Sequence, residues 1–146
     1  MKRVSASVVV AGRPEEAEAL WTDPARWPSW IDGFGHVREV GEHWPEPGSR
    51  VRWVSKPRGR GLVQERVTGR QPARSLTLDT EDEKLRGTQT VSFEPTEHQV
   101  RVTLALEYEL KDRTAPLAGF FVRRALRDSL ARTVRRFGYE READLS

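Results

Sequence analysis

The sequence predicts a single α+β domain over residues 1–146, in which an antiparallel sheet curls around a long C-terminal helix. Residues 3–11 alternate apolar and polar side chains, as in a half-buried strand. Glycine and proline divide residues 35–110 into short runs, which is typical of consecutive antiparallel strands. After Pro116 the apolar side chains recur at helical spacing, with no further proline.

Two short helices are predicted after the first strand. Pro14 suits the first helical position because its missing N–H would have no partner there, and the two glutamates that follow suit the positive end of the helix dipole. Asp23 precedes Pro24, so we expect it to end the first helix and to cap a second one. Because Pro28 follows closely, that second helix should be brief or kinked.

The strand with the clearest pattern, residues 98–110, indicates which face of the sheet is buried. Val100, Val102, Leu104 and their successors share one face, whereas charged side chains occupy the other. One face of the sheet is therefore dry and the other is solvated. A helix of some twenty residues is about 30 Å long, so a twisted sheet must curl round it, and such packing can leave an internal space.

Composition excludes several functional classes. The chain has no cysteine, which excludes disulfides and thiolate chemistry. Its charged residues, 32% of the chain, balance to a net charge of only +3, and Asp128 and Glu140 interrupt the basic last helix, so we expect no nucleic-acid partner. No apolar run approaches the roughly 20 residues that span a bilayer, so we expect no integral membrane segment. The basic, apolar start is similar to a signal peptide, but its alternation with serine favours a strand in a cytoplasmic protein.

The stretch AGRPEEAEALWTDPARWPSW, together with the order of elements over nearly the whole chain, resembles the START-like, or Bet v 1-like (SRPBCC), superfamily. Within it, the chain is similar to the bacterial polyketide cyclase/dehydrase and lipid-transport group. The resemblance implies a helix-grip fold, in which a seven-stranded antiparallel sheet wraps the C-terminal helix around a cavity. Members bind lipids, hormones, polyketides or other apolar ligands, and some are cyclases.

Residues 20–30 carry three of the five tryptophans, interrupted by two prolines. Two short helices at an angle would let these rings plug one end of the sheet, each burying ~150–250 Å². We expect Trp21 and Trp30 to be core residues first and ligand contacts second. Trp27 could be a second plug or could face outward.

Most enzyme signatures are absent. The three histidines lack the spacing of a zinc site, and no serine lies in a nucleophile elbow, so we expect neither a metal nor a cofactor. The run KPRGRG, residues 56–61, lacks the end of a phosphate loop and is predicted to be a solvated hairpin tip. An enzyme would therefore depend on groups inside the sheet.

Alternation along the strands predicts such groups. Val63 and Val67 define an inner face with Glu65 between them, although a bulge would turn Gln64 inward instead. An inward carboxylate without partners would have a raised pKa, which suits general acid–base catalysis. Tyr108 shares the dry face of its strand, and its hydroxyl could meet a ligand or a water at the rim.

Two functions stay open at this stage. The first is binding or carriage of a small apolar ligand, aromatic or lipid-like, by a monomer or homodimer. The second is an aromatic polyketide cyclase or dehydratase with Glu65 and Tyr108 as catalytic residues, assisted by an arginine. In either case, Gly87 would leave room in the cavity and Gln89 would need a polar partner. The predicted ligand contacts are Trp27, Trp30, Trp53, Leu78, Gly87, Gln89, Val91, Leu106, Tyr108, Phe120, Phe121 and Arg124.

Overall fold

The sheet of the computed structural model, which describes residues 1–112 and 116–146, has seven antiparallel strands in the order β1-β7-β6-β5-β4-β3-β2. The strands are β1 (Lys2–Ala11), β2 (Phe34–Val40), β3 (Arg50–Ser55), β4 (Leu62–Gln71), β5 (Ser75–Glu81), β6 (Leu85–Pro95) and β7 (Gln99–Leu110). The helices are α1 (Pro14–Trp21), α2 (Trp27–Trp30) and α3 (Pro116–Leu145). The α+β helix-grip class predicted from the sequence is confirmed.

The connection between α1 and α2 follows the proline positions. α1 begins at Pro14, and a 3₁₀ turn over Pro24–Arg26 leads directly into α2. The Asp23 side chain caps that turn by accepting a hydrogen bond from the N–H of Ala25 at 3.1 Å. The second helix is thus divided into a 3₁₀ turn and one α turn, because Pro28 follows Pro24 too closely for an uninterrupted helix.

The long helix α3 extends over 30 residues to Leu145 and is thus longer than the predicted helix of some twenty residues. Its last part is held by Arg141, which is only 8% exposed and donates a hydrogen bond to the carbonyl of Ala11 at 3.1 Å. Arg141 also forms an ion pair with Glu16 at 3.1 Å, so the helix end is tied to the junction of β1 and α1. Over the described residues, no helix combines the length and the apolar content needed to cross a bilayer.

α3 is seated unevenly on the sheet. Leu130, Thr133, Val134 and Phe137 are all buried, at 8% exposure or less. By contrast, none of the side chains over residues 119–129 is buried. Burial of an aliphatic or aromatic side chain contributes about 1.5–3 kcal/mol, so the second half of the helix supplies most of its attachment.

A polar cluster at Asp32, in the loop between α2 and β2, fastens the middle of α3. Its carboxylate accepts two hydrogen bonds from Arg132, both at 3.0 Å. It also accepts one from the Ser129 hydroxyl at 2.7 Å and one from Arg136 at 3.1 Å. The N–H of Asp32 donates to the Thr133 hydroxyl at 3.0 Å. Arg132 projects from the helix away from the buried stripe, and its long side chain reaches around the helix to this loop.

The charge of Asp32 is stabilised by these contacts. Partial burial alone would raise the pKa of its carboxyl group, but hydrogen bonds from Arg132 and Ser129 and the guanidinium charges outweigh burial. The pKa of Asp32 therefore lies below its ordinary value. Folding therefore favours the ionised form of the Asp32 carboxyl group over the protonated form.

Replacing Asp32→Asn removes the ion pairs but keeps the size of the side chain. We expect the free energy of unfolding, measured by urea denaturation at pH 7, to fall by about 1.5–3 kcal/mol, because hydrogen bonds to charged groups contribute that much. Asp23→Asn is the matched control, since asparagine caps helices as well as aspartate does. Equal losses in both variants would contradict the role assigned to Asp32.

The stability difference between the wild type and Asp32→Asn should depend on pH in one direction. Because the folded-state pKa of Asp32 is lowered, its contribution is complete above the unfolded-state value of about 3.9 and is lost as the pH falls through the folded-state value. Urea denaturation at a series of pH values should show a constant difference above about pH 5 and a shrinking one below pH 4. A difference that grows in acid would refute the assignment.

Candidate functional site

A hollow of about 80 Å³ lies between the inner face of the sheet and the helices α2 and α3. All five tryptophans of the chain border it. Leucines from the sheet and from α3 complete its apolar wall, namely Leu76, Leu78, Leu104 and Leu130. The segment that the sequence singled out for its tryptophans is therefore one wall of this hollow.

The tryptophans of the short helices are fixed by contacts with each other. The rings of Trp21 and Trp30 lie 4.3 Å apart between centroids, and Trp30 meets Phe137 of α3 edge-on at 5.2 Å. Trp27 is 5% exposed and donates its indole N–H to the carbonyl of Trp21 at 2.8 Å. It contacts the Trp44 ring edge-on at 5.5 Å, so Trp27 is a second plug and does not face outward.

One indole of this wall retains an unused hydrogen-bond donor. Trp30 is 1% exposed, and its N–H has no hydrogen-bond partner among the described residues. The equivalent groups of Trp27 and Trp44 donate to backbone carbonyls at 2.8 Å. Because an unpaired buried donor costs about 1–3 kcal/mol, Trp30 provides a position where an acceptor atom would be stabilised.

Polar groups meet at the Trp53 side of the hollow. Glu65 accepts a hydrogen bond from the indole N–H of Trp53 at 3.0 Å. The guanidinium carbon of Arg60 lies 5.7 Å from the centroid of the Trp53 ring. Arg60 also pairs with Asp82 at 2.6 Å and donates to the Thr80 hydroxyl at 3.0 Å. Trp53 thus meets a carboxylate at its indole N–H and a guanidinium group over its ring.

The inward orientation of Glu65 settles one of the open alternatives. Its neighbours Val63 and Val67 are fully buried, and Gln64 is exposed. The bulge of β4 falls between Val67 and Gly69, beyond the position where it would have turned Glu65 outward. The alternation along β4 therefore predicted its inner face correctly.

The predicted solvated role of residues 56–61 is wrong for Arg60. The loop turns back through Gly61, whose φ of +79° is a conformation that favours glycine. The N–H of Gly61 donates to the Ser55 hydroxyl at 2.9 Å, which closes the loop over the sheet. The sequence feature that could have indicated this contact is the acidic tip of the β5–β6 hairpin at Asp82, whose charge complements that of the basic loop.

Tyr108 is buried on the inner face but does not border the hollow. It is 1% exposed, and its hydroxyl has no hydrogen-bond partner in the part of the chain that the structure describes. Burial raises the pKa of this hydroxyl, and the charge of Arg123 opposes that effect only in part. Gly87 and Thr80 lie between Tyr108 and Glu65 in one row across the sheet, so the two backbones are about 14 Å apart.

Gly87 has a different role from the one predicted. A Cβ at this position would overlap the carbonyl oxygen of Glu107 on the neighbouring strand. The glycine therefore permits close approach of two strands and does not enlarge the hollow.

The nine predicted ligand contacts on the short helices and the sheet divide into two groups. Trp27, Trp30, Trp53, Leu78 and Gln89 border the hollow. The remaining sheet residues lie on the inner face of the sheet without bordering it; these are Gly87, Val91, Leu106 and Tyr108.

The three predicted contacts on α3 do not meet the hollow. Phe120 and Phe121 are each 64% exposed, and Arg124 is exposed beside them. At 100° per residue Phe121 and Arg124 lie about 160° and about 140° around α3 from Phe137, and Phe120 lies about 100° away, at the flank of the buried stripe. Helical phase explains this arrangement, because the buried stripe of α3 leaves no inward position for them. Trp21, Trp44 and Arg60 border the hollow but were missing from the predicted contacts.

Comparisons with known proteins agree with this architecture. A START superfamily protein from Mycobacterium smegmatis superimposes with a TM-score of 0.80 at 16% identity, with 99% of each chain covered. TTHA0849 from Thermus thermophilus gives a TM-score of 0.76 at 20% identity and covers 99% of this chain and 100% of its own. The di-domain ARO/CYC protein StfQ from the steffimycin biosynthetic pathway gives 0.77 at 15% identity, with 98% of this chain and 51% of that chain covered.

At these identities the solved structures show a shared fold, and no curated protein matches the chain. The family described as polyketide cyclase / dehydrase and lipid transport matches residues 1–138. That match covers both short helices, the whole sheet and most of α3. The chain therefore belongs to the polyketide cyclase / dehydrase and lipid transport family.

Proposed function

We propose that the protein is a carrier of a small apolar molecule that contains at least one ring. The molecule would bind in the hollow between the sheet and α3. The observation that supports this proposal is the convergence of all five tryptophans on one hollow. Ligand pockets are built in this way, from apolar and aromatic walls with few polar groups. The description of the family, which joins lipid transport with polyketide cyclases, is in keeping with such a ligand.

The polar groups of the hollow define further features of the ligand. The N–H of Trp30 is a buried donor that a carbonyl or hydroxyl oxygen of the ligand would satisfy. Flat rings suit the indole faces, since aromatic pairs stabilise each other beyond their buried area. A ring that carries an oxygen substituent therefore fits better than a saturated acyl chain.

The hollow must enlarge to hold such a molecule. Its volume of about 80 Å³ is below the ~300–1,000 Å³ of pockets for drug-sized ligands. Residues 119–125 of α3 bury none of their side chains, so this first part of the helix can move outward at a small cost. Phe137 and the Asp32 cluster would hold the second half in place during that movement.

Filling the hollow should prevent binding. Leu78→Phe places a larger side chain in its wall. We expect the dissociation constant for 1-naphthol, measured by tryptophan fluorescence, to rise at least ~10-fold, because the added ring occupies the space that the ligand needs. Leu85→Phe is the matched control, because Leu85 is also 4% exposed on the inner face but does not border the hollow. Equal affinities in the wild type and Leu78→Phe would contradict binding in this hollow.

A second candidate function is an aromatic polyketide cyclase or dehydratase, and the position of Glu65 favours it. Its carboxylate faces the hollow, held by the Trp53 N–H at 3.0 Å. A carboxylate there can take a proton from a carbon between two carbonyls, and the resulting enolate can attack a third carbonyl of the chain. Glu65 then returns this proton to the alkoxide that the attack creates. The same carboxylate can remove the second proton of the attacking carbon and deliver it to the new hydroxyl group, which leaves as water as the carbon–carbon double bond forms. The positive charge of Arg60 on the same ring would stabilise the enolate.

Replacing Glu65→Gln tests the reaction separately from binding. Glutamine can still accept the Trp53 hydrogen bond, so we expect 1-naphthol affinity to change by less than ~3-fold. If the protein is a cyclase, conversion of a synthetic poly-β-ketone thioester to its aromatic product should fall ~10²–10⁴-fold, the range for loss of a general base.

The exposed Glu94→Gln is the matched control and should retain the wild-type rate. Turnover by Glu65→Gln at the wild-type rate would contradict the assignment of Glu65. A wild-type rate no faster than the uncatalysed one would remove the enzyme hypothesis and leave the carrier.

A further inference from the structure

The start of α3 presents two phenylalanines to solvent. Phe34, Phe93 and Phe137 are at most 3% exposed, as is usual for this residue type, whereas Phe120 and Phe121 are each 64% exposed. The two exposed rings touch edge to face, with centroids 5.6 Å apart, so they form one apolar projection. The ligand site described above does not include them, because neither ring borders the hollow and both face solvent.

Positive charge surrounds this pair. Residues 116–127 contain three arginines and no acidic residue, and the first acidic residue of α3 is Asp128. Arg124 and Arg127 are exposed and lie within two helical turns of the phenylalanines. The exposed Lys2 is also close, since a Cβ at Gly119 would lie 3.1 Å from its ammonium nitrogen. Aromatic side chains flanked by cations suit the interface of a bilayer with anionic headgroups.

A second copy of the chain fits this surface poorly. Two phenylalanines offer far less than the roughly 800 Å² that each partner buries in a standard interface. A two-fold contact centred on them would also bring the same arginines of both copies together. Single-stranded nucleic acid fits poorly as well, because the edge-to-face contact covers a ring face that would otherwise stack on a base.

We propose that the start of α3, through Phe120 and Phe121 flanked by Arg124, Arg127 and Lys2, docks the protein on an anionic membrane surface. The phenylalanines enter the boundary between headgroups and acyl chains, and the cations contact the lipid phosphates. A membrane docked at this place would contact the half of α3 that buries none of its side chains. An apolar ligand could then pass between the bilayer and the hollow without crossing water.

Co-sedimentation with lipid vesicles tests the proposal with the full chain. Vesicles of phosphatidylcholine alone are compared with vesicles that contain about 30% phosphatidylglycerol. The wild type should bind the anionic vesicles at least ~10-fold more tightly, and binding should weaken as salt screens the charges. Phe120→Ser with Phe121→Ser should reduce binding at least ~10-fold, and Arg124→Gln with Arg127→Gln should reduce it ~25-fold.

Tyr139→Ser is the matched control, because Tyr139 is 63% exposed on the same helix. It should bind vesicles like the wild type, and all variants should bind 1-naphthol equally, so docking can fail while the proposed function stands. Equal binding of neutral and anionic vesicles, or equal loss in Tyr139→Ser, would overturn the proposal. The proposal would also be overturned if the wild type bound no vesicles and the phenylalanine variant instead lost the ability to form a dimer or to bind an oligonucleotide.

Discussion

The structure depends on how a sheet of seven strands closes over one long helix. The closure is strong at Phe137, which is fully buried against Trp21 and Trp30, and at Asp32, which binds two arginines of α3. It is weaker over residues 119–129, where no side chain is buried and Leu126 packs only partly against the core. Such a difference along one helix lets part of it move while the fold stays intact.

The hollow is a consequence of that closure. Where α3 is seated, tryptophan rings fill most of the space between helix and sheet and leave about 80 Å³. Hydrogen bonds from the indole N–H groups of Trp27, Trp44 and Trp53 fix the positions of these three rings in the walls. The donor of Trp30, by contrast, is buried and has no partner among the described residues. A protein usually avoids that cost unless a ligand or water repays it.

Regular periodicity made much of this predictable. Alternation placed Glu65 inward, and the prolines at 24 and 28 located the short helices. The positions of Arg60 and Arg132 were not predictable in the same way, because long side chains reach partners that are distant in sequence. Gly87 was misread for a related reason, since the crowding that requires glycine comes from the carbonyl of Glu107 on another strand. Local pattern thus predicts which face a residue takes, but contacts between elements decide what it meets.

The five tryptophans also provide the most direct measurement of the central claim, that the hollow receives a ring-containing ligand. Each indole N–H gives its own signal in a ¹H–¹⁵N correlation spectrum of labelled protein, recorded here during titration with 1-naphthol. The account predicts saturable shifts, largest for Trp30, whose donor would gain an acceptor. Unchanged indole signals at saturating 1-naphthol, with shifts confined to the amides around Phe120 and Phe121, would contradict it.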